Sequence, residues 1–173
     1  MRQSIKRETQ ETSIEILLQI NGLGTVQAET GVALLDEVLS ALGRAGGFDL
    51  TVRARGDLQT GDHHTVEDTA ITLGAAISGQ IKSGMASCMV PCGEALATAA
   101  VRFAEPGYRG SFQLGSGSME GMDLQNFPHF LRALAYNGNF NLFISAQGGD
   151  DRSRIEAMSL ALGRAIKLAA RDG

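Results

Sequence analysis

The sequence predicts an α+β fold made of one unit used twice, in which each copy is a β-sheet with two helices on one face. The chain resembles itself over a long period, since residues 48–50 read FDL and residues 140–142, which lie 92 positions later, read FNL. After a change of register, Glu67 matches Glu156 at an offset of 89. Self-similarity of this length indicates a duplicated supersecondary unit.

Chain length is consistent with this duplication, because 173 residues suffice for one compact domain with two similar halves. We predict a single domain over 1–173, divided into repeats of about 1–84 and 85–173 and related by a pseudo-two-fold axis. Each repeat shows strand-like and helix-like hydrophobic patterns in the same order, which favours helices packed on one side of a sheet.

In the first repeat, apolar residues alternate over 13–20 and again over 48–54, which predicts two strands. A helix is predicted between them by apolar residues three and four positions apart, namely Leu34, Leu35, Val38, Leu39 and Leu42, and Gly46-Gly47 ends it. A second helix follows the N-cap candidates at 62–65. Its apolar face consists of Val66, Ala70, Leu73 and Ile77.

The second repeat shows a similar sequence of patterns. A strand-like stretch at 99–104 precedes a Gly/Ser-rich connector at 115–118. A helix is predicted near 127–135, a strand at 140–146 and a long helix at 152–170.

Charge and hydropathy exclude several classes of partner. The net charge of −4 gives no electrostatic basis for binding nucleic acid or an anionic membrane. The apolar stretches are shorter than the roughly 20 residues that span a bilayer, and the N-terminus shows no leader pattern, so we expect a cytoplasmic protein. Cys88 and Cys92 are interpreted as reduced thiols.

The strongest chemical signal is the segment 62–68, which reads DHHTVED. On a helix, His63 and Glu67 share a face, and so do His64 and Asp68. Imidazole nitrogen and carboxylate oxygen together suit zinc, manganese or iron. The alternative is a polar helix start, in which the same residues serve as cap and first turn. In the second copy the equivalent segment, 151–157, reads DRSRIEA and has no histidine.

These motifs resemble those of the imidazoleglycerol-phosphate dehydratases of histidine biosynthesis. The segment 7–12 is similar to the family pattern R-x-T-x-E-T, and 30–36 to T-G-x-x-x-L-D. The segment 62–68 matches the D-H-H-T-V-E-D signature, and 91–96 is similar to P-M-D-E-A-L. Glu156 and Ala157 match the end of a second motif, H-H-x-x-E-A, whose histidines are missing here.

The resemblance implies a duplicated fold of the ribosomal protein S5 domain 2-like type in a homo-oligomer, up to a large cage. In the family, manganese ions between subunits bind the imidazole ring of the substrate and help to remove water from its glycerol phosphate arm. It also implies catalytic roles for Glu11 and Glu67, and metal ligation by His63, His64, Glu67 and Glu156. Glu37 stands where the family has a histidine and is a further candidate ligand. The expected cofactor is manganese or another divalent transition metal at a partial site, or none.

The chain departs from the family at many of the residues that bind metal and phosphate. Family histidines are replaced by Glu37, Ala45, Phe143, Arg152 and Ser153. Family arginines or lysines for phosphate are replaced by Ser87, Glu105 and Leu160. A divalent ion needs about four to six ligands and a phosphate dianion needs cationic donors.

These departures predict a diverged homologue that keeps the oligomeric scaffold and at most a partial metal site, does not catalyse the family dehydration, and has an unknown small-molecule ligand. The alternative is a working dehydratase, a carbon–oxygen lyase of histidine biosynthesis, with unusual metal ligands.

Three local hypotheses follow, each with a plainer alternative. Arg152 and Glu156 are spaced for an ion pair, in which the guanidinium fills the vacated metal space, or else they form an exposed surface pair. Glu37 replaces a histidine as a hard ligand and is joined by Asp36 or His129, or else His129 is a solvated residue at a helix start. Glu11 is a site carboxylate or an exposed strand residue.

Overall fold

The first repeat forms a four-stranded sheet covered by two helices. A computed structural model describes residues 1–173. The elements are β1 (Gln3–Glu8), β2 (Thr12–Gln19), β3 (Val26–Glu29), α1 (Ala33–Gly46), β4 (Asp49–Gly56) and α2 (His63–Gln80), with a short 3-10 turn at Leu58–Thr60. The strand order is β1-β2-β4-β3, and β3 runs parallel to β4 whereas the other neighbours are antiparallel.

The second repeat has the same topology. Its elements are β5 (Met85–Cys92), β6 (Ala95–Phe103), β7 (Gly107–Ser111), the hairpin strands β8 (Ser118–Met119) and β9 (Met122–Asp123), α3 (Asn126–Asn137), β10 (Phe140–Gly148) and α4 (Asp151–Asp172). The order β5-β6-β10-β7 again places a parallel third strand beside the fourth. The predicted α+β fold class, a duplicated sheet with helices on one face, is confirmed.

The strands that the sequence did not predict are the four edge strands of the two main sheets and the short hairpin strands β8 and β9. The central strands β2, β4, β6 and β10 bury every second side chain, so their alternation is visible in the sequence. The edge strands β1 and β3 have only half-buried and exposed positions, and β7 contains Gly107 and Gly110. Their weaker burial leaves a weaker hydrophobic pattern.

The four helices lie between the two sheets and form one core. Helix α1 packs on α4 and α2 packs on α3, so each helix pair joins the two repeats. Inward-facing strand residues complete the core, and the largest fully buried ones include Ile14, Ile16, Leu18, Phe48, Leu50 and Phe140. None of the helices is both long and apolar enough to cross a membrane.

Two equivalent glycines set the close approach of the helix pairs. A Cβ atom on Gly74 of α2 would lie 2.8 Å from the backbone oxygen of Leu134 in α3. A Cβ atom on Gly163 of α4 would collide with the backbone oxygen of Leu42 in α1. Because backbone atoms cannot rotate away as a side chain can, only glycine permits these approaches.

Replacing Gly163 by alanine should separate α1 from α4. Alanine favours helices over glycine, but the collision with Leu42 outweighs that gain, so we expect a loss of about 1–3 kcal/mol in unfolding free energy by chemical denaturation. Gly79→Ala is the matched control, since the atoms nearest to its new Cβ all belong to the flexible side chain of Gln3. Equal stability of the Gly163 variant and the wild type would contradict this account of the packing.

Candidate metal site

The start of α2 holds His63 in one defined tautomer. Asn126, at the start of α3, donates from Nδ2 to Oδ2 of Asp62 at 2.8 Å. An ionised carboxylate only accepts hydrogen bonds, so this contact fixes the amide orientation and directs its oxygen at His63. His63 Nδ1 lies 3.1 Å from Asn126 Oδ1 and must therefore carry the proton. Asn126 is only 8% exposed, which makes this a buried and specific support.

The other ring nitrogen of His63 faces a carboxylate. His63 Nε2 lies 3.3 Å from Glu67 Oε2, one helical turn further along α2. With the proton on Nδ1, a neutral imidazole presents a lone pair at Nε2, so two acceptors face each other. Such a contact is favourable only if a second proton or a metal cation neutralises it. The pair therefore fits a divalent cation, and the bond from Nδ1 to Asn126 is the usual outer support of a ligating histidine.

All three histidines of the chain gather at this point. The ring centroids of His64 and His129 lie 5.7 and 5.8 Å from that of His63. His129 is exposed at the start of α3, as the plainer alternative expected, but its ring stands against His63 rather than alone. Within this one chain, no three His, Cys, Asp or Glu side chains converge closely enough to hold an ion.

Asp68 is committed to a structural role, so the predicted convergence of His64 and Asp68 is wrong. Its carboxylate accepts from the hydroxyl of Thr12 at 2.6 Å and from Nε of Arg7 at 3.2 Å. This buried contact explains why the 7–12 motif and the 62–68 motif occur together, because it ties the β1–β2 turn to α2. Glu11 is exposed in that turn, where its backbone oxygen accepts from Asp57 N.

At the start of α4, Arg152 bridges two carboxylates of other elements. It donates to Oε2 of Glu37 at 2.7 Å and to Oε1 of Glu120, in the β8–β9 turn, at 2.5 Å. The predicted pair with Glu156 is therefore wrong, since a residue in another element outcompetes the neighbour on the same helix. Within one chain, Glu37 and His129 do not share a site, because Glu37 lies in the α1–α4 pair and His129 beside α2.

The pKa values of the two glutamates around Arg152 shift in opposite directions. The hydrogen bond with Glu120 raises the pKa of Glu37, with a further contribution from burial. The same hydrogen bond and the Arg152 guanidinium lower the pKa of Glu120. Both carboxylates accept hydrogen bonds from Arg152.

Glu156 has a different neighbour. Burial raises the pKa of the Cys92 thiol, and a hydrogen bond from that thiol to Glu156 adds to the effect. Glu156 also borders a groove of about 530 Å³ between α1 and α4, with Arg152, Arg44 and Leu160. Of the positions where the resemblance expected phosphate-binding cations, Leu160 borders this groove, whereas Ser87 and Glu105 are exposed.

The fold and these side chains together define a duplicated α+β protein with two related half-sites, one of them a histidine–carboxylate centre. The half-site at α2 and α3 contains His63, His64, Glu67 and His129, and the one at α1 and α4 contains an ion-paired arginine.

Comparison with known proteins assigns this architecture to a family. A sequence profile described as imidazoleglycerol-phosphate dehydratase matches residues 30–166. The imidazoleglycerol-phosphate dehydratase of Methanothermobacter thermautotrophicus is 40% identical over 178 residues, with 99% of this chain and 92% of that protein covered. That of Desulforudis audaxviator is 40% identical over 174 residues, covering 96% and 89%. The chain belongs to the imidazoleglycerol-phosphate dehydratase family.

Solved structures of the family agree with the fold. The crystal structure of imidazoleglycerol-phosphate dehydratase from Staphylococcus aureus matches with a TM-score of 0.83 and 25% sequence identity, covering 98% of both chains. The resemblance found in the sequence motifs is therefore confirmed at the level of the family.

The cap of α4 gives a pH-dependent prediction. Asp150 Oδ1 accepts from the backbone N–H of Ser153 at 2.8 Å, and this bond lowers the carboxyl pKa below 3.8. A lowered pKa stabilises the fold above the unfolded value, and this stabilisation is lost as pH falls through the folded value. Asp150→Ala should therefore melt below the wild type at pH 7, and the difference in Tm should shrink as the pH falls below about 3.8. A difference that does not change with pH would contradict the assignment.

Proposed function

We propose that this chain is an imidazoleglycerol-phosphate dehydratase of histidine biosynthesis that works with an altered metal centre at the start of α2. The observation that carries the proposal is the His63–Glu67 pair, whose two acceptors face each other at 3.3 Å with the histidine tautomer fixed by Asn126. The identity of about 40% to proteins of that name, over nearly the whole chain, supports the same reaction.

A divalent transition metal, with manganese as the first candidate, would be held by His63 Nε2 and Glu67. Further donors would come from His64 and His129 after side-chain rotation, or from a second copy of the chain in a homo-oligomer. When bound, such an ion supplies a Lewis acid for the imidazole ring of the substrate. Carboxylate and imidazole ligands suit manganese, zinc or iron.

The chain's own residues have two further tasks in a dehydration. Removing water takes a proton from one carbon and hydroxide from the next, which requires a base and an acid. We assign these roles to the exposed carboxylate of Glu11 and to Glu67. Asn126 and Asp62 keep the His63 ring oriented, and the buried Asp68 holds the β1–β2 turn that carries Glu11.

The second candidate function is a homologue that keeps the scaffold and has lost the dehydration. The observation that favours it is the half-site at α1 and α4, where Arg152 occupies both Glu37 and Glu120. Both carboxylates of this half-site already accept from the guanidinium, so a metal ion would have to displace Arg152 to bind them. If two metal centres are required for the reaction, the chain would bind its ligand without dehydrating it. In both cases we place the protein in the cytoplasm.

Metal-dependent dehydration of imidazoleglycerol phosphate separates the two candidates. With the untagged protein loaded with Mn²⁺, we expect turnover that EDTA abolishes and that falls at least about 10²-fold in Glu67→Gln. Arg164→Gln is the matched control, since this residue is exposed on α4 away from both half-sites. Binding of the metal in an assembled protein without any turnover would establish the scaffold function instead.

Support of the metal ligand by Asn126 can be tested separately from turnover. Asn126→Ala removes the acceptor for His63 Nδ1, which frees the ring to flip and exchange tautomers. Losing such an outer partner typically weakens metal affinity by about 10–100-fold. Calorimetric titration with Mn²⁺ measures this loss, and an unchanged Kd would remove Asn126 from the site.

A further inference from the structure

The two half-sites occupy equivalent places in the two repeats but contain opposite chemistry. The offset of 89 relates His63 to Arg152, and the offset of 92 relates His129 to Glu37. In one half-site two imidazole rings stand 5.8 Å apart beside Glu67. In the other, a guanidinium donates to a carboxylate at 2.7 Å. The half-site at α1 and α4 therefore contains its own permanent cation.

Arg152 uses that charge to join three separate elements. Its guanidinium belongs to α4, whereas Glu37 lies on α1 and Glu120 forms the β8–β9 turn. The turn is also held by its backbone, because the Glu120 oxygen accepts from the N–H of Leu34 at the start of α1. We call this set of contacts the Arg152 clamp.

The backbone conformation of Glu120 is unfavourable for glutamate, so the turn does not explain this residue, whereas its side-chain contact with Arg152 does. Its φ is +46°, a left-handed conformation that glycine and asparagine adopt more readily than glutamate, and Gly121 follows at +83°. A two-residue hairpin turn with two positive φ angles favours Asn-Gly over Glu-Gly. The strain in the backbone is compensated where the carboxylate binds Arg152.

The clamped hairpin leads directly to the other half-site. Strand β9 ends at Asp123, and α3 begins three residues later at Asn126, the residue that fixes the His63 tautomer. The short link is itself ordered, since Leu124 N donates to Gly117 O and Phe127 N donates to Leu124 O. One continuous segment, 117–127, thus contacts Arg152 at one end and His63 at the other.

We propose that Arg152 is a positioning residue for the His63 half-site: its clamp holds the β8–β9 hairpin, and the hairpin holds the start of α3 so that Asn126 meets His63. The half-site without histidines thereby serves the one that keeps them. This inference deepens the proposed metal site, but its first test is made on metal-free protein and does not depend on the proposed reaction.

The competing explanation is that hydrophobic burial alone places the segment. Met122 and Leu124 are almost fully buried, at 0% and 4% exposure, and they anchor the hairpin whether or not Arg152 is charged. The two explanations differ in what happens when the clamp is cut while both apolar anchors remain. If the Arg152 clamp holds the segment, cutting it disorders the segment at both ends. If hydrophobic burial alone holds it, neither end is disordered.

Amide hydrogen exchange followed by mass spectrometry tests this on the full chain in EDTA. Arg152→Gln should raise exchange about tenfold in residues 118–123 and also in residues 127–131 of α3. Arg152→Lys should give a smaller increase, because an ammonium is a point charge without the planar two-pronged geometry. Arg164→Gln on the same helix should leave both segments unchanged.

Glu120→Asn is the second variant, and it separates the clamp from the turn. Asparagine fits the positive φ better, so a turn held by backbone preference alone would exchange more slowly than in the wild type. The proposal predicts faster exchange in both segments despite the relieved strain. The proposal is overturned if amide exchange in residues 127–131 is slower than in the wild type, or unchanged, in both Glu120→Asn and Arg152→Gln.

A double-mutant cycle between Arg152 and Asn126 measures whether the two residues act together on Mn²⁺ affinity. A purely structural role of Arg152 would not produce such coupling. If Arg152 acts through Asn126, Arg152→Gln should raise the Kd for Mn²⁺ about tenfold in the wild type and have little effect in Asn126→Ala. Fully additive effects would show that Arg152 acts independently of Asn126 and would overturn the proposal. If the wild type binds no Mn²⁺, the proposed function fails, whereas the exchange experiment still decides this inference.

Discussion

Packing of helices from different repeats is the constraint on which the rest of the structure depends. Helix α1 lies on α4 and α2 on α3, so neither repeat completes its core alone. Gly74 and Gly163 let the helix backbones approach at equivalent places. Because the pairs are equivalent, each brings together the start of one helix and a neighbour from the other repeat. Both half-sites arise from this arrangement, at α2 with α3 and at α4 with α1.

The two half-sites therefore share one geometry but differ in charge. At α2, an imidazole nitrogen and a carboxylate face each other and leave negative charge that a cation would satisfy. At α4, Arg152 satisfies two carboxylates within the chain. Exposed ion pairs usually contribute little to stability. The Arg152 ion pairs matter because of where they lie: they hold the β8–β9 turn, and this turn continues into α3.

The fold was more predictable from the sequence than the site. Central strands and all four helices leave clear periodicities, whereas edge strands such as β3 and β7 bury too little to do so. His63 with Glu67 was predictable, because a helix brings residues four apart together. The partners Asn126 and Glu120 were not, since they come from an irregular segment far away in sequence. Sequence spacing pairs Arg152 with Glu156 and misses Glu37 and Glu120 for the same reason: it reveals neighbours on one helix, but not a competing partner on another element.

Anomalous diffraction from crystals grown with Mn²⁺ tests the central claim most directly, namely that one half-site retains metal chemistry and the other has exchanged it for an ion pair. We predict an anomalous peak within ligand distance of His63 Nε2 and Glu67, and none between Arg152 and Glu37. A peak beside Glu37 or Glu156, with Arg152 displaced, would contradict it. The absence of any peak at His63 in crystals saturated with Mn²⁺ would contradict it equally.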